Sequence, residues 1–136
     1  MKNQFSDKSF AFGEAIDASF LYSLYENDLP YIEQVFKATL IELDTTERLL
    51  LPAAEQRDTA VLKKTVHKVK PLFGFAGLPK FQEVLQQFED ACTENASIEF
   101  PETKFNKAFE AIKSGRRIIE IEYAKLKDFN GTNEYV

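Results

Sequence analysis

From Phe20 to Leu126 the large apolar residues of this chain recur at intervals of three and four, and the rhythm breaks only at short segments holding Asp, Pro or Gly. That period gathers apolar side chains onto one stripe of an α-helix and leaves the other faces to water. Asp17 reads as the cap of a short helix reaching about Tyr25, with Phe20, Leu21 and Leu24 on one side. Asp28, followed by Pro30, starts a second helix along which Ile32, Phe36, Thr39, Leu43 and Leu50 repeat, and Pro52 kinks or ends it. Asp58 starts a third, which carries His67. Gly77 suits a left-handed helix terminus and Pro79 a first helical turn, so a tight reversal is expected between them. Leu78, Phe81, Leu85, Phe88 and Cys92 form the seam of a fourth helix. After the loop around NASIEFP a fifth is expected from about Thr103 to Lys127, with Phe105, Phe109, Ile112, Ile119, Tyr123 and Leu126 inward. Within it RRIIEIEY, residues 116–123, is rich in β-branched residues, but no other segment offers a strand partner, so helix is assigned. The expected class is all-α: an antiparallel four-helix bundle with a short additional N-terminal helix, a single domain over residues 1–136. The ends, about 1–13 and 129–136, are expected as flexible tails.

Charge narrows the partners. The net charge is −5, which argues against nucleic acid, whose phosphates call for a basic surface. The balance is uneven: residues 57–80 hold Arg57, Lys63, Lys64, Lys68, Lys70 and Lys80 against Asp58 alone, a local +5 in a remainder of −10. A basic segment around the one histidine of an acidic chain is either a solvated helix face kept soluble by its lysines or a surface that meets an acidic partner. Nowhere do about 18 apolar residues run together as a membrane span needs, and the first residues lack the apolar core of a signal peptide. Cys92 is the single cysteine, which rules out an internal disulfide and a thiolate metal cluster. A cytoplasmic, monomeric protein without a cofactor is expected, and the length suggests a standalone module.

His67 lies off the buried stripe of its helix. With His67 at zero and roughly 100° per residue, Leu62, Val66, Val69, Phe73 and Ala76 fall between about 180° and 260°. Its neighbours three and four positions away are Lys63, Lys64, Lys70, Pro71 and Gly74, none of them large and apolar. An exposed histidine has few uses here. It has no second histidine or thiolate to share a metal, no serine or cysteine nucleophile beside it, and no glycine-rich phosphate loop in the chain. Either it is a surface histidine without a role, or the imidazole itself is the nucleophile. At neutral pH its free lone pair can meet a phosphoryl donor in line, and a lysine one turn away offsets the arriving charge.

The stretch HKVKPLFGFAGL, residues 67–78, resembles the signature of histidine-containing phosphotransfer (HPt) domains, a histidine followed by lysine at the third position and glycine at the tenth: His67, Lys70 and Gly77. LYSLYENDLPYIEQVFKATLIEL resembles the leading helices of that family, and AAEQRDTAVLKKTVHKVK its approach to the phosphorylated histidine. The resemblance implies a four-helix bundle with His67 as phosphoacceptor, Lys70 stabilising the phosphoryl group, and Glu89, 22 positions after His67, hydrogen-bonding the other imidazole nitrogen. It implies as partners the receiver domains of response regulators and hybrid histidine kinases, which supply the catalytic Mg2+. One departure stands out: where the family often has glycine and small residues after the lysine, this chain has Pro71, Leu72 and Phe73.

The expected function is that of a phosphoryl carrier in a multistep two-component phosphorelay, not an enzyme, accepting on His67 from one receiver aspartate and passing the group to another. Lys63, Lys64, Pro71, Gly74 and Gly77 are the expected docking surface. The alternative is a helical adaptor that binds a signalling partner through the same face without phosphoryl chemistry.

Overall fold

Three aspartates open three helices in the same way. In the computed structural model, which describes residues 10–94 and 99–133, the Oδ1 atoms of Asp17, Asp28 and Asp58 accept the backbone N–H of Phe20, Tyr31 and Val61 at 3.1, 3.1 and 3.2 Å. They start α1 (Ala18–Tyr25), α2 (Leu29–Glu55) and α3 (Thr59–Phe75). Each such cap is worth about 1 kcal/mol, because it satisfies an amide that the first helical turn leaves without a partner. Two more helices follow, α4 (Pro79–Glu94) and α5 (Glu102–Asn133). Among the described residues every regular element is a helix, RRIIEIEY included.

The ends of α2 and α3 share one design. Asp58 N donates to Ala53 O at 2.9 Å and Leu78 N to Phe73 O at 2.8 Å, each bond spanning a residue in the left-handed region, Arg57 at φ 53° and Gly77 at φ 79°. Each is a Schellman turn, which reverses the chain within about three residues. Arg57 carries a Cβ that this conformation disfavours. Its guanidinium compensates by lying 5.1 Å over the Phe100 ring and 3.5 Å from Glu102. A Cβ on Gly77 would be crowded, 3.1 Å from Leu21 Cγ and 3.2 Å from Ile16 Cγ2. Pro52 lies inside α2, which runs on to Glu55.

The helices form a bundle around one core. α3 packs on α2 and α4, α5 packs on α2 and α4, and α1 leans on α2. Phe36, Phe73 and Phe88, from three different helices, are fully buried at its centre. Gly115 of α5 sits against the Phe73 ring, where a Cβ would overlap it. Cross-links fix α5 along α2: Arg116 reaches Glu47 at 2.6 Å, and Asn130 Nδ2 donates to Glu33 at 2.8 Å and to Leu29 O at 3.2 Å. No helix of the described residues is long and apolar enough to cross a membrane.

Two boundaries differ from the sequence expectation. α5 does not stop near Lys127 but continues to Asn133, so residues 129–133 are helix and not tail. The reason is tertiary: Asn130 is anchored to the start of α2, which outweighs the poor helix propensity of the NGT sequence. Residues 10–13 are likewise fixed. Phe10 meets Phe129 at 5.5 Å, Phe12 meets Phe36 at 6.2 Å, and Gly13 N donates to the buried Glu122 carboxylate at 3.1 Å. The expectations for residues 1–9 and 134–136, and the part of the NASIEFP loop at 95–98, lie outside the described residues.

Candidate functional site

The site is built by the α3–α4 hairpin. Four pairs of residues meet across it, mirrored about Leu78. Lys63 Nζ donates to Thr93 Oγ1 at 2.6 Å, His67 Nδ1 meets Glu89 Oε1 at 2.7 Å, Lys70 Nζ donates to Gln86 Oε1, and the fourth pair is Gly74 with Gln82. A Cβ on Gly74 would stand 2.7 Å from Gln82 Nε2, so the missing side chain makes the notch through which Gln82 reaches Lys70 O, to which it donates at 3.2 Å.

His67 is exposed, its side chain 70% accessible, as its place off the apolar stripe predicts. Its partner Glu89 is the opposite, with 8% of its side chain accessible. The carboxylate is shared. Oε1 takes His67, while Oε2 lies 2.8 Å from the Lys70 ammonium, a charge contact whose alignment falls short of a hydrogen bond. A carboxylate at Nδ1 makes that nitrogen the N–H donor, so the lone pair of the neutral ring is at Nε2. The geometry therefore fixes a tautomer whose nucleophilic nitrogen is the one not turned to Glu89. Lys70 does not extend into solvent. It lies against α4 with 19% of its side chain accessible, where it neutralises the buried carboxylate that orients the imidazole.

The surroundings of this row sort the remaining sequence expectations. Lys64, Lys68 and Pro71 are exposed on the His67 side of α3. Lys63 is half-buried and turned to Thr93, so it offers less charge to a partner than its position suggests. Gly74 is covered by Gln82. Gly77, also expected in the docking surface, is buried against Leu21 and Ile16, and its carbonyl accepts from Asp17 N at 2.8 Å. Its role is to turn the chain. Pro71 stays within α3, and having no N–H it leaves the His67 carbonyl without its helical donor. One turn beyond Pro71, Leu72 and Phe75 join Leu24, Tyr25, Tyr31 and Val35 in an apolar recess of about 370 Å3, and 51% of Phe75 is exposed.

Cys92, one turn past Glu89, is buried. Burial pushes its thiol up, the nearby Lys63 opposes that and Glu89 adds to it, so the sulfur stays protonated. Among the described residues no group of His, Cys, Asp or Glu is placed to hold a metal ion.

Sequence reasoning missed Gln82, Gln86, Asp90 and Thr93. For Gln82, Gln86 and Thr93 the signal was available once the tight turn was placed: reflecting α3 about Leu78 puts positions 82, 86 and 93 opposite 74, 70 and 63. No protein-family model, curated protein or solved structure matches the chain. The chemistry of the site thus rests on these side chains.

Proposed function

We propose that this chain is a histidine phosphotransfer protein of a multistep phosphorelay, an antiparallel four-helix bundle that carries a phosphoryl group on His67 between receiver domains. The observation that carries this reading is an exposed imidazole whose Nδ1 is 2.7 Å from a buried carboxylate, which leaves Nε2 as the nucleophile. Supporting the bundle arrangement, partners across α3–α4 and α2–α5 run in opposite directions: 63 meets 93 and 70 meets 86, while 33 meets 130 and 47 meets 116.

In the forward step the Nε2 lone pair attacks the phosphorus of a receiver's aspartyl phosphate. The P–O bond to the aspartate breaks and its electron pair returns to the carboxylate, while the Nδ1 proton stays on the ring, facing Glu89. The ring gains positive charge as the N–P bond forms, and Glu89 stabilises it there. Lys70, on the same face, offsets the phosphoryl charge. The receiver supplies Mg2+ through its own carboxylates. Its acidic site is drawn by Lys64 and Lys68, and the recess at Leu72 and Phe75 gives an apolar contact beside them. The reverse step hands the group to a second receiver.

The test is incubation with a phosphorylated receiver domain, followed by a search for label that is lost in acid and survives alkali. Wild type should take it up and His67→Gln should not, with its fold retained because the substituted side chain is exposed. Receiver binding without any label on His67 would reject the carrier reading and leave a helical adaptor.

A further inference from the structure

Lys70 is held by more than Glu89. Its ammonium also donates to Gln86 Oε1, and that amide is oriented in turn: Gln86 Nε2 donates to Asp90 Oδ1 at 2.9 Å, which leaves the oxygen as the atom facing Lys70. Gln86 and Asp90 are both exposed, yet the lysine between them and Glu89 is mostly covered. We propose that Gln86 is a positioning residue for Lys70, holding its ammonium against α4 and so setting how long a phosphoryl group stays on His67. This inference rests on the phosphoryl-carrier reading above.

A phosphoryl group on Nε2 brings negative charge to the opposite side of the imidazole from Glu89. To neutralise it, the Lys70 ammonium must give up an acceptor on α4. The Glu89 contact is ionic, at 2.8 Å, whereas Gln86 is a neutral and exposed amide, and a neutral acceptor is released first. The strength of the Gln86 bond thus opposes the turn of Lys70 toward the phosphoryl oxygens. Hydrolytic loss proceeds by attack of water on phosphorus, with the P–N bond breaking, its electron pair returning to Nε2, and inorganic phosphate leaving. With no receiver Mg2+ on the phosphoryl oxygens, a cation paired with them withdraws the electron density that expels the imidazole, so Lys70 holds the group on the ring. Freeing Lys70 from Gln86 therefore lengthens the life of the phosphohistidine, and tightening the hold shortens it.

The full chain is phosphorylated with phosphoramidate, whose phosphorus is attacked by Nε2 while its P–N bond breaks and ammonia leaves, and decay is followed after the donor is removed. Gln86→Leu should lengthen the half-life roughly threefold, the low end for one hydrogen bond, because Gln86 is exposed and water replaces part of it. Gln86→Glu should shorten it by a similar factor, because a carboxylate holds the ammonium more tightly. Both shifts should vanish in a Lys70→Ala background. Shifts of the two variants in the same direction, or shifts that persist without Lys70, would overturn the proposal. Wild type that takes up no label from either phosphoramidate or a phosphorylated receiver would overturn the carrier reading itself, and this inference with it.

Discussion

Replacing Glu89 tests the center of the proposed chemistry. The carboxylate touches Nδ1 of His67 at 2.7 Å and the Lys70 ammonium at 2.8 Å from a position almost wholly out of solvent. A charge-assisted hydrogen bond contributes about 1.5–3 kcal/mol. The ring it serves is 70% exposed, so water takes over part of the task and the lower end of that range applies. At about 1.4 kcal/mol for each factor of ten, Glu89→Ala should slow phosphoryl transfer about tenfold at saturating receiver. Glu89→Gln keeps an acceptor for Nδ1–H but loses the charge that stabilises the imidazolium, and should slow it about threefold. Rapid-quench single turnovers from a phosphorylated receiver give the rate, and receiver affinity measured separately should hardly move, because Glu89 lies beneath the surface. A melting curve guards against unfolding, since Glu89→Ala also strips Lys70 of its counter-charge and should cost about 1–2 kcal/mol. A Glu89→Ala protein that stays folded and transfers within twofold of wild type would refute the assignment. So would equal losses in both variants, because the acceptor would then count for nothing.

Three further outcomes are expected. Gly77→Ala should destabilise by about 2 kcal/mol in urea titrations, half from the left-handed backbone and half from the crowded contacts with Leu21 and Ile16, while transfer per folded molecule stays unchanged; a lost rate with intact stability would return Gly77 to the docking surface. Lys64→Glu combined with Lys68→Glu should lower the association rate with the receiver several-fold at low salt and less at high salt, by stopped-flow measurement, and an unchanged rate would make these lysines a solvated face. Because burial holds the Cys92 thiol above its usual value of 9.0, labelling of the native protein by a thiol reagent should stay slow through pH 9.0 and become fast only on unfolding; rapid native labelling would contradict the packing around α4.

What the sequence made legible follows the range of the interactions involved. The three aspartate caps, the reversal at Gly77 and the exposure of His67 are local matters, decided within a turn or two, and all can be read from residue order. Even Pro52, which left two readings open, acts locally. The reach of α5 to Asn133 and the packing of Phe10 and Phe12 are different. Asn130 is held by residues about a hundred positions earlier, and Gly13 meets Glu122 across nearly the whole chain, so no window of neighbours contains the cause. Glu122 is buried in the same way, paired with Lys125 at 3.1 Å. In the site, His67 and Lys70 declared themselves by spacing. Glu89 entered through a family resemblance, and Gln86 and Gln82 are visible only after the two helices are laid side by side.

The mirror about Leu78 makes the α3–α4 turn a timing element for the chemistry. Were one residue inserted between Gly77 and Pro79, every side chain of α4 would move on by one place, a rotation of about 100°. The residue then opposite His67 would be the present Phe88, and the carboxylate would swing away from both His67 and Lys70. The same rotation would turn Leu85 and Phe88, both fully buried, out of the core. The chain should therefore resist a change of length in this connection, where the count of residues in a turn is also the alignment of His67 with Glu89.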